Sequence, residues 1–384
     1  MSDSQIKNIL KILKKIYKKK YQLHSPIFNG NEKKYLINCL KQKNISALGT
    51  YRNRLIDKIK FITKAKYVIL TSSGTAAMHL ILKALNVDEK DEILMPSLNY
   101  IASANSVLYC NSNPHFIEIE NTTLGVDPTK LRNYLKKIVR RKNNLSYNKR
   151  SMKLIKGIIV LHTFGHPCKI DKIKKICDEY NIRLIEDSAE ALGSLYKNIH
   201  VGTFGEAGIL SFNGNKIVTT GAGGAVITND KKIANKIEKL SKISKKKHPY
   251  KYDYDEVGYN YSMPNLNAAI GLAQIENLKK FLKSKRALAK KIKFNLKDNV
   301  NIKIFVEPKN CKSNYWLQIV MLNKASIKLR NSIVENLIKN GLQSRPLWTL
   351  LHKINYLKKF HHDNLSISLD IEKKLINIPS NINE

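Results

Sequence analysis

Three short segments carry side chains that could do chemistry together. Ser72-Ser73-Gly74-Thr75-Ala76-Ala77 follows an apolar run and opens a helical pattern. A glycine there lets backbone approach an anion, and the free N–H groups of a helix start favour phosphate. The Thr75 hydroxyl adds a donor, although Ser73 or Thr75 would equally serve as a plain N-cap. Ile185-Glu186-Asp187-Ser188-Ala189 puts two acids at the end of an apolar run. An acid so placed can bind metal, act as a base, hold a cationic ring nitrogen, or cap a helix. No nearby His or Asp cluster has metal-ligand spacing, so no metal site is expected. Ser211-Phe212-Asn213-Gly214-Asn215-Lys216 ends another such run and TTGAGG follows it. A lysine held in a semi-enclosed site can lose its proton and form a Schiff base. The alternative is a solvated loop lysine.

A phosphate cradle, an acid and a lysine at neighbouring strand ends are the parts needed to hold pyridoxal 5'-phosphate. The lysine would carry the aldehyde, and the acid would keep the pyridine nitrogen protonated, making the ring an electron sink. Tyr100, placed after another strand, either stacks on the ring face or packs in the core.

Positioning such groups takes an alternation of strands and helices. Apolar runs at 67–70, 91–96, 113–120, 157–165, 182–189, 206–216 and 223–230 read as strands. Helical patterns lie between most of them, which predicts an α/β domain with a mostly parallel sheet and ligands at the strands' carboxyl ends. Residues 131–157 read as a helix followed by a polar, basic loop. One long helix over 266–297 is predicted to lead into a small C-terminal α+β domain with a strand at 314–322 and a helix at 329–341. The partition expected is therefore a basic arm or helix at 1–24, a large cofactor domain at 25–285 and a small domain at 286–384. Residues 1–24 have amphipathic spacing, suiting either a surface helix or a membrane-surface or partner contact.

Composition bounds the reading. The 384 residues are 43% hydrophobic and 26% charged, which suits a globular chain and excludes bulk disorder. No apolar run of about 18 residues exists, so no transmembrane segment is expected. The first residues lack the core and cleavage site of an export signal. Cys39, Cys110, Cys168, Cys177 and Cys311 are scattered, with no C-x-x-C pair, which points to a reducing, cytoplasmic location. Lys+Arg 68 against Asp+Glu 30 gives +38. Nucleic acid or another polyanion is one reading. Nearly all these cations are lysines, in a chain also crowded with Ile, Asn and Tyr, so a compositional bias is the reading preferred.

The motifs, in order and spacing, resemble the DegT/DnrJ/StrS family of pyridoxal phosphate-dependent nucleotide-sugar aminotransferases. The resemblance runs from residue 25 onward through SSGTAAMHLILKAL, HTFGHP, IEDSAEALGS, VGTFGEAGILSFNGNKIVTTGAGG, EVGYNYSMPNLNAAIGLAQIE and LQSRPLW. SFNGNK, EVGYNY and QSRPLW look like its LegC-type branch, which aminates C4 of a UDP-linked 4-keto-6-deoxy-N-acetylhexosamine. The resemblance implies an aspartate-aminotransferase-like fold (type I) and a homodimer with shared active sites. It implies that Lys216 is the Schiff-base lysine and Asp187 the partner of the pyridine nitrogen. Gly74, Thr75 and Ser211 would bind the phosphate, and Tyr100 would stack on the ring. Asn260 would reach the phosphate in the neighbouring subunit. Glu190 would lie near the ring hydroxyl, where many relatives have glutamine. His162 and Arg345 would line the substrate site, with glutamate as donor. Amination at C3, a GDP- or dTDP-linked sugar, and a non-catalytic cofactor-binding regulator are the alternatives. A dehydratase of this family would carry histidine at position 216, so Lys216 counts against one. The chain departs from the family pattern at Asn99, at Ser262 where relatives have arginine, and at residues 43–49, which lack the usual tryptophan.

Overall fold

The computed structural model describes residues 3–17 and 20–381. The central sheet has nine strands, seven of them along its main path: β1 (Tyr67–Thr71), β2 (Asp91–Pro96), β3 (Asn113–Ile117), β4 (Leu154–Leu161), β5 (Arg183–Asp187), β6 (Ala207–Ser211) and β7 (Gly224–Thr228). Their order across the sheet is β1-β7-β6-β5-β4-β2-β3. The run from β6 to β3 is parallel, and along this path β7 alone runs against both its neighbours. The buried apolar stretches 93–96, 158–161 and 184–185 of β2, β4 and β5 reflect a sheet covered on both faces by helices. The expected mostly parallel sheet is thus present, with one strand of that path reversed.

That reversal matters for the site. The start of β7 lies at the same sheet edge as the ends of β1 and β6. Gly224 there is pressed against the Ser73–Gly74 backbone, and a Cβ on it would sit 2.5 Å from the Ser73 carbonyl carbon. Only glycine permits that approach.

The stretch expected to be a helix and basic loop is a helix, α2 (Pro128–Ile138), followed by a hairpin, 139–142 paired with 145–148, which joins the central sheet where Tyr147 pairs with Leu154. Its two-residue turn is Asn143-Asn144, both at positive φ (49° and 60°). Asparagine tolerates that conformation, and such a turn matches the strand twist. The expected long helix is two: α3 (Asn265–Glu276) and α4 (Leu278–Leu296), broken at Asn277. The Asn277 side chain donates to the Ala273 carbonyl at 3.2 Å while its own N–H turns to Gln274. Such local bonding competes with the helical ladder.

A second, four-stranded antiparallel sheet holds β8 (Ile302–Ile304), β9 (Gln318–Leu322), β10 (Arg345–Pro346) and β11 (Leu375–Ile378), in the order β8-β9-β11-β10. The amphipathic N-terminal segment forms helix α1 (Asp3–Ile16). Its Ile9, Leu13 and Ile16 are buried in one cluster with Ile292 and Leu296 of α4 and Ile302 of β8. The apolar face that a membrane would have taken is therefore already covered. No described helix is long and apolar enough to cross a membrane.

Candidate active site

The carboxyl ends of β1, β2, β4, β5 and β6 converge on a cavity of about 310 Å³. Ser73, Gly74 and Thr75 follow β1 and open the helix Gly74–Ala84. The Ser73 hydroxyl accepts the Ala76 N–H at 3.0 Å, so this serine is the N-cap. The leading amides of the helix have no partner within it, which suits an anion. A Cβ on Gly74 would meet the Ser211 side chain at 3.1 Å, so the glycine keeps the space between these two cradle residues open. Tyr100 and Ser103 enter from the segment after β2, and Asn213, Asn215 and Lys216 from the turn after β6.

Side-chain alternation along β5 separates the two adjacent acids. Glu186 is taken up entirely by structure. It accepts from the N–H groups of Gly202, Phe204 and Gly205 at 2.7–2.9 Å and faces His162 Nε2 at 3.1 Å. Asp187 lines the cavity. Ser103 Oγ donates to its Oδ2 at 2.7 Å, and the Ala189 N–H reaches Oδ1 at 3.2 Å. Burial pushes the Asp187 carboxyl above its ordinary value, opposed by the Ser103 hydroxyl, the Ala189 N–H and Lys216. A buried carboxylate in that condition is stabilised by any cation brought against it.

Lys216 Nζ lies 3.3 Å from Glu190 Oε1 and 3.9 Å from the centroid of the Trp316 ring. The other Glu190 oxygen accepts the Phe164 N–H at 2.8 Å, from a residue held at positive φ. Burial pushes Glu190 up to about 7, with Lys216 and then the Phe164 N–H pulling the other way. Trp348 completes the cavity wall, its ring 5.9 Å from Tyr100 and 4.8 Å from Phe164.

The cavity thus gathers Gly74, Thr75, Tyr100, Asp187, Glu190, Ser211 and Lys216. It does not take in His162, which the sequence placed at the substrate. That ring is wholly buried, accepts the Cys168 N–H at Nδ1 and faces Glu186 with Nε2, so neither nitrogen is free for a ligand. Nor does it take in Arg345, which is exposed on β10 and donates to the neighbouring Ser344 carbonyl. Asn260 is exposed outside the cavity. Its neighbours Tyr259 and Tyr261 stack on each other at 5.2 Å and flank His79 of the cradle helix. At the departures, the Asn99 side chain accepts the Tyr100 N–H at 2.7 Å, and the Ser262 hydroxyl is buried without a partner. Sequence reasoning missed Ser103, Trp316 and Trp348. The chain has only two tryptophans and both line this cavity, which is the signal that was available.

A phosphate cradle, a buried acid awaiting a cation, and a lysine within one enclosed cavity fit pyridoxal phosphate. Fold and cavity define an aminotransferase of the pyridoxal phosphate-dependent kind. The chain belongs to the DegT/DnrJ/EryC1/StrS aminotransferase family, whose model matches residues 26–383. It is 34% identical over 361 residues to GDP-perosamine synthase of Escherichia coli O157:H7, covering 93% of this chain and 92% of the relative. It is 33% identical over 369 residues to the putative pyridoxal phosphate-dependent aminotransferase EpsN of Bacillus subtilis, covering 95% and 92%. Among solved structures, the aminotransferase TlmJ of Streptoalloteichus hindustanus shares the fold with a TM-score of 0.85 at 20% identity, covering 94% of each chain. Helicobacter pylori PseC does so with 0.83 at 22%, again covering 94% of each. Among the described residues no cluster of His, Cys, Asp or Glu could hold a metal ion.

Proposed function

We propose that this enzyme moves the amino group of L-glutamate onto the keto carbon of a nucleotide-linked 4-keto-6-deoxy sugar. The observation that carries this reading is Lys216 and Asp187 facing one cavity with a phosphate cradle between β1 and β6. The likeness to GDP-perosamine synthases favours a GDP-linked acceptor over the UDP-linked one that the LegC-like motifs suggested.

Gly74, Thr75 and Ser211 would hold the cofactor phosphate, Asp187 the pyridine nitrogen, and Tyr100 the ring face. When bound, pyridoxal phosphate supplies the electron sink and the covalent carrier of the amino group. Lys216 Nζ takes the proton from Cα of the amino donor as a general base, and in the second half it returns a proton as an acid. Glu190 Oε1, 3.3 Å away, holds that nitrogen and keeps it aimed into the cavity. Trp348, which lines the cavity 5.9 Å from the Tyr100 ring, would help exclude water from it. The exposed Asn260, braced by Tyr259 and Tyr261, would complete the phosphate site of a second copy, making the working unit a cytoplasmic homodimer.

Offering the pyridoxamine-loaded enzyme a panel of GDP-, UDP- and dTDP-linked 4-keto-6-deoxy sugars, read by mass spectrometry, tests the acceptor. Amination of the GDP sugar alone is expected. Preference for a UDP sugar would return the LegC-like reading to first place, and no amination of any sugar would sink the proposal.

A further inference from the structure

Lys285, on α4, is fully buried, and no carboxylate among the described residues pairs with it. Its Nζ donates to the Trp316 carbonyl at 2.8 Å and to the Ser380 carbonyl. Its own carbonyl accepts from Gln318 Nε2 at 3.1 Å. The titratable neighbour is His24, whose ring faces the Asn215 backbone and which burial holds well below its ordinary value. Burial likewise drives the Lys285 amine towards its neutral form. The two carbonyls accept two of its N–H groups. Burying such a group is costly unless it is hydrogen-bonded.

What it holds is one end of Trp316. The other end of that residue is held at the site. Indole Nε1–H donates to the Asn215 carbonyl at 2.7 Å, immediately before Lys216. The indole face lies 3.9 Å from Lys216 Nζ and stacks on Phe164 at 6.3 Å. Phe164 in turn holds Glu190. Trp316 is thus gripped at its carbonyl by α4 and at its ring by the turn that bears the reactive lysine.

We propose that Lys285 is a positioning residue for Lys216: by holding the Trp316 carbonyl it fixes the indole face on which the Lys216 amine rests. This rests on the reading of Lys216 as the cofactor-bearing lysine. Borohydride reduction of the loaded wild-type enzyme checks that reading separately, because cofactor mass found on any other residue defeats it whatever Lys285 does.

The test uses the full chain with Lys285→Met, Trp316→Leu and the pair together. In a Trp348→Phe background Trp316 is the one indole, and Lys285→Met is expected to raise its quenching by acrylamide at least about twofold as the ring loosens. In stopped-flow single turnovers with L-glutamate, each variant is expected to slow the loss of the cofactor's visible band roughly five- to tenfold, as loss of a contact of this kind would. The glutamate concentration at half-maximal rate should stay within about twofold. The double variant should be no slower than the slower single one, since both act through one contact. Multiplying effects, or unchanged indole quenching in Lys285→Met, would overturn the proposal. Should Lys285→Met not fold, Lys285→Gln, which keeps two N–H groups on a shorter stem, is read by the same criteria.

Discussion

The cavity has two unlike walls. The wall built by the large sheet is made of strand ends: backbone amides at Gly74 and Thr75, the Asp187 carboxyl and the Lys216 turn, each within a few residues of a β-strand. The wall built by segments flanking the four-stranded sheet is aromatic, with Trp316 just ahead of β9 and Trp348 just after β10. Strand ends are fixed by ladder hydrogen bonds, so they place charge accurately. The aromatic wall is fixed by a few long-range bonds, such as Lys285 to Trp316 and Trp316 to Asn215. On the proposed function the first wall does the reaction chemistry, while in the second Trp316 supports Lys216 and Trp348 shapes the acceptor site.

The largest effect expected is on the sheet wall. Lys216→Ala should cut turnover by about 10³-fold or more, with thermal stability nearly unchanged. Turnover within tenfold of wild type would break the assignment. Asp187→Asn keeps the shape and removes the charge, so a fall of about 10²-fold in kcat with loosened cofactor binding in equilibrium dialysis is expected. On the aromatic wall, Trp348→Ala should raise the half-saturating concentration of the sugar acceptor about three- to tenfold and leave the glutamate half-reaction unaffected. A loss confined to the glutamate half would reverse the division of labour.

Glu190 joins the two walls and gives the pH test. Its folded value of about 7 lies above the ordinary 4.5, so the native protein holds a proton there that the unfolded chain has lost. That contribution to stability is present in full below about pH 4.5 and is lost as pH rises through about 7. The melting temperature of the wild type should therefore fall relative to Glu190→Gln across that window and run parallel above it. Parallel curves throughout would remove Glu190 as a titrating group. The smallest effect is expected at the seam between the walls. His166 is buried between Phe305 and Tyr315 with neither nitrogen partnered. His166→Phe should be neutral or stabilising by about 1 kcal/mol in denaturant titrations, without change in activity.

The same contrast explains what could be read from the residues alone. Gly74-Thr75, Asp187 and Ser211 to Lys216 are local motifs at the ends of apolar runs, and their spacing carries their meaning. The aromatic wall is not local. Trp316 meets Lys216 across 100 residues, and Ser103 meets Asp187 across 84, so no window of sequence joins them. The expected place of His162 failed for a physical reason: its ring is claimed by Glu186 and the Cys168 N–H on the other side of the sheet. The hairpin at 139–148 went unread because Asn143-Asn144 in a basic stretch looks like loop, although two adjacent asparagines are also a turn. The break at Asn277 leaves the apolar pattern of α3 and α4 continuous, so periodicity could not mark it.

The pairing of β5 with β4 and β6 carries a hidden demand. Two neighbouring carboxylates end that strand, one quenched by three amides and the other left hungry for charge. A slip of one position during folding would trade their places, sending the wrong acid into the cavity and orphaning the amides behind it. Such a chain would retain its helices and most of its core, yet bind no coenzyme. Yield of active enzyme after refolding should therefore track coenzyme uptake more closely than it tracks helical content.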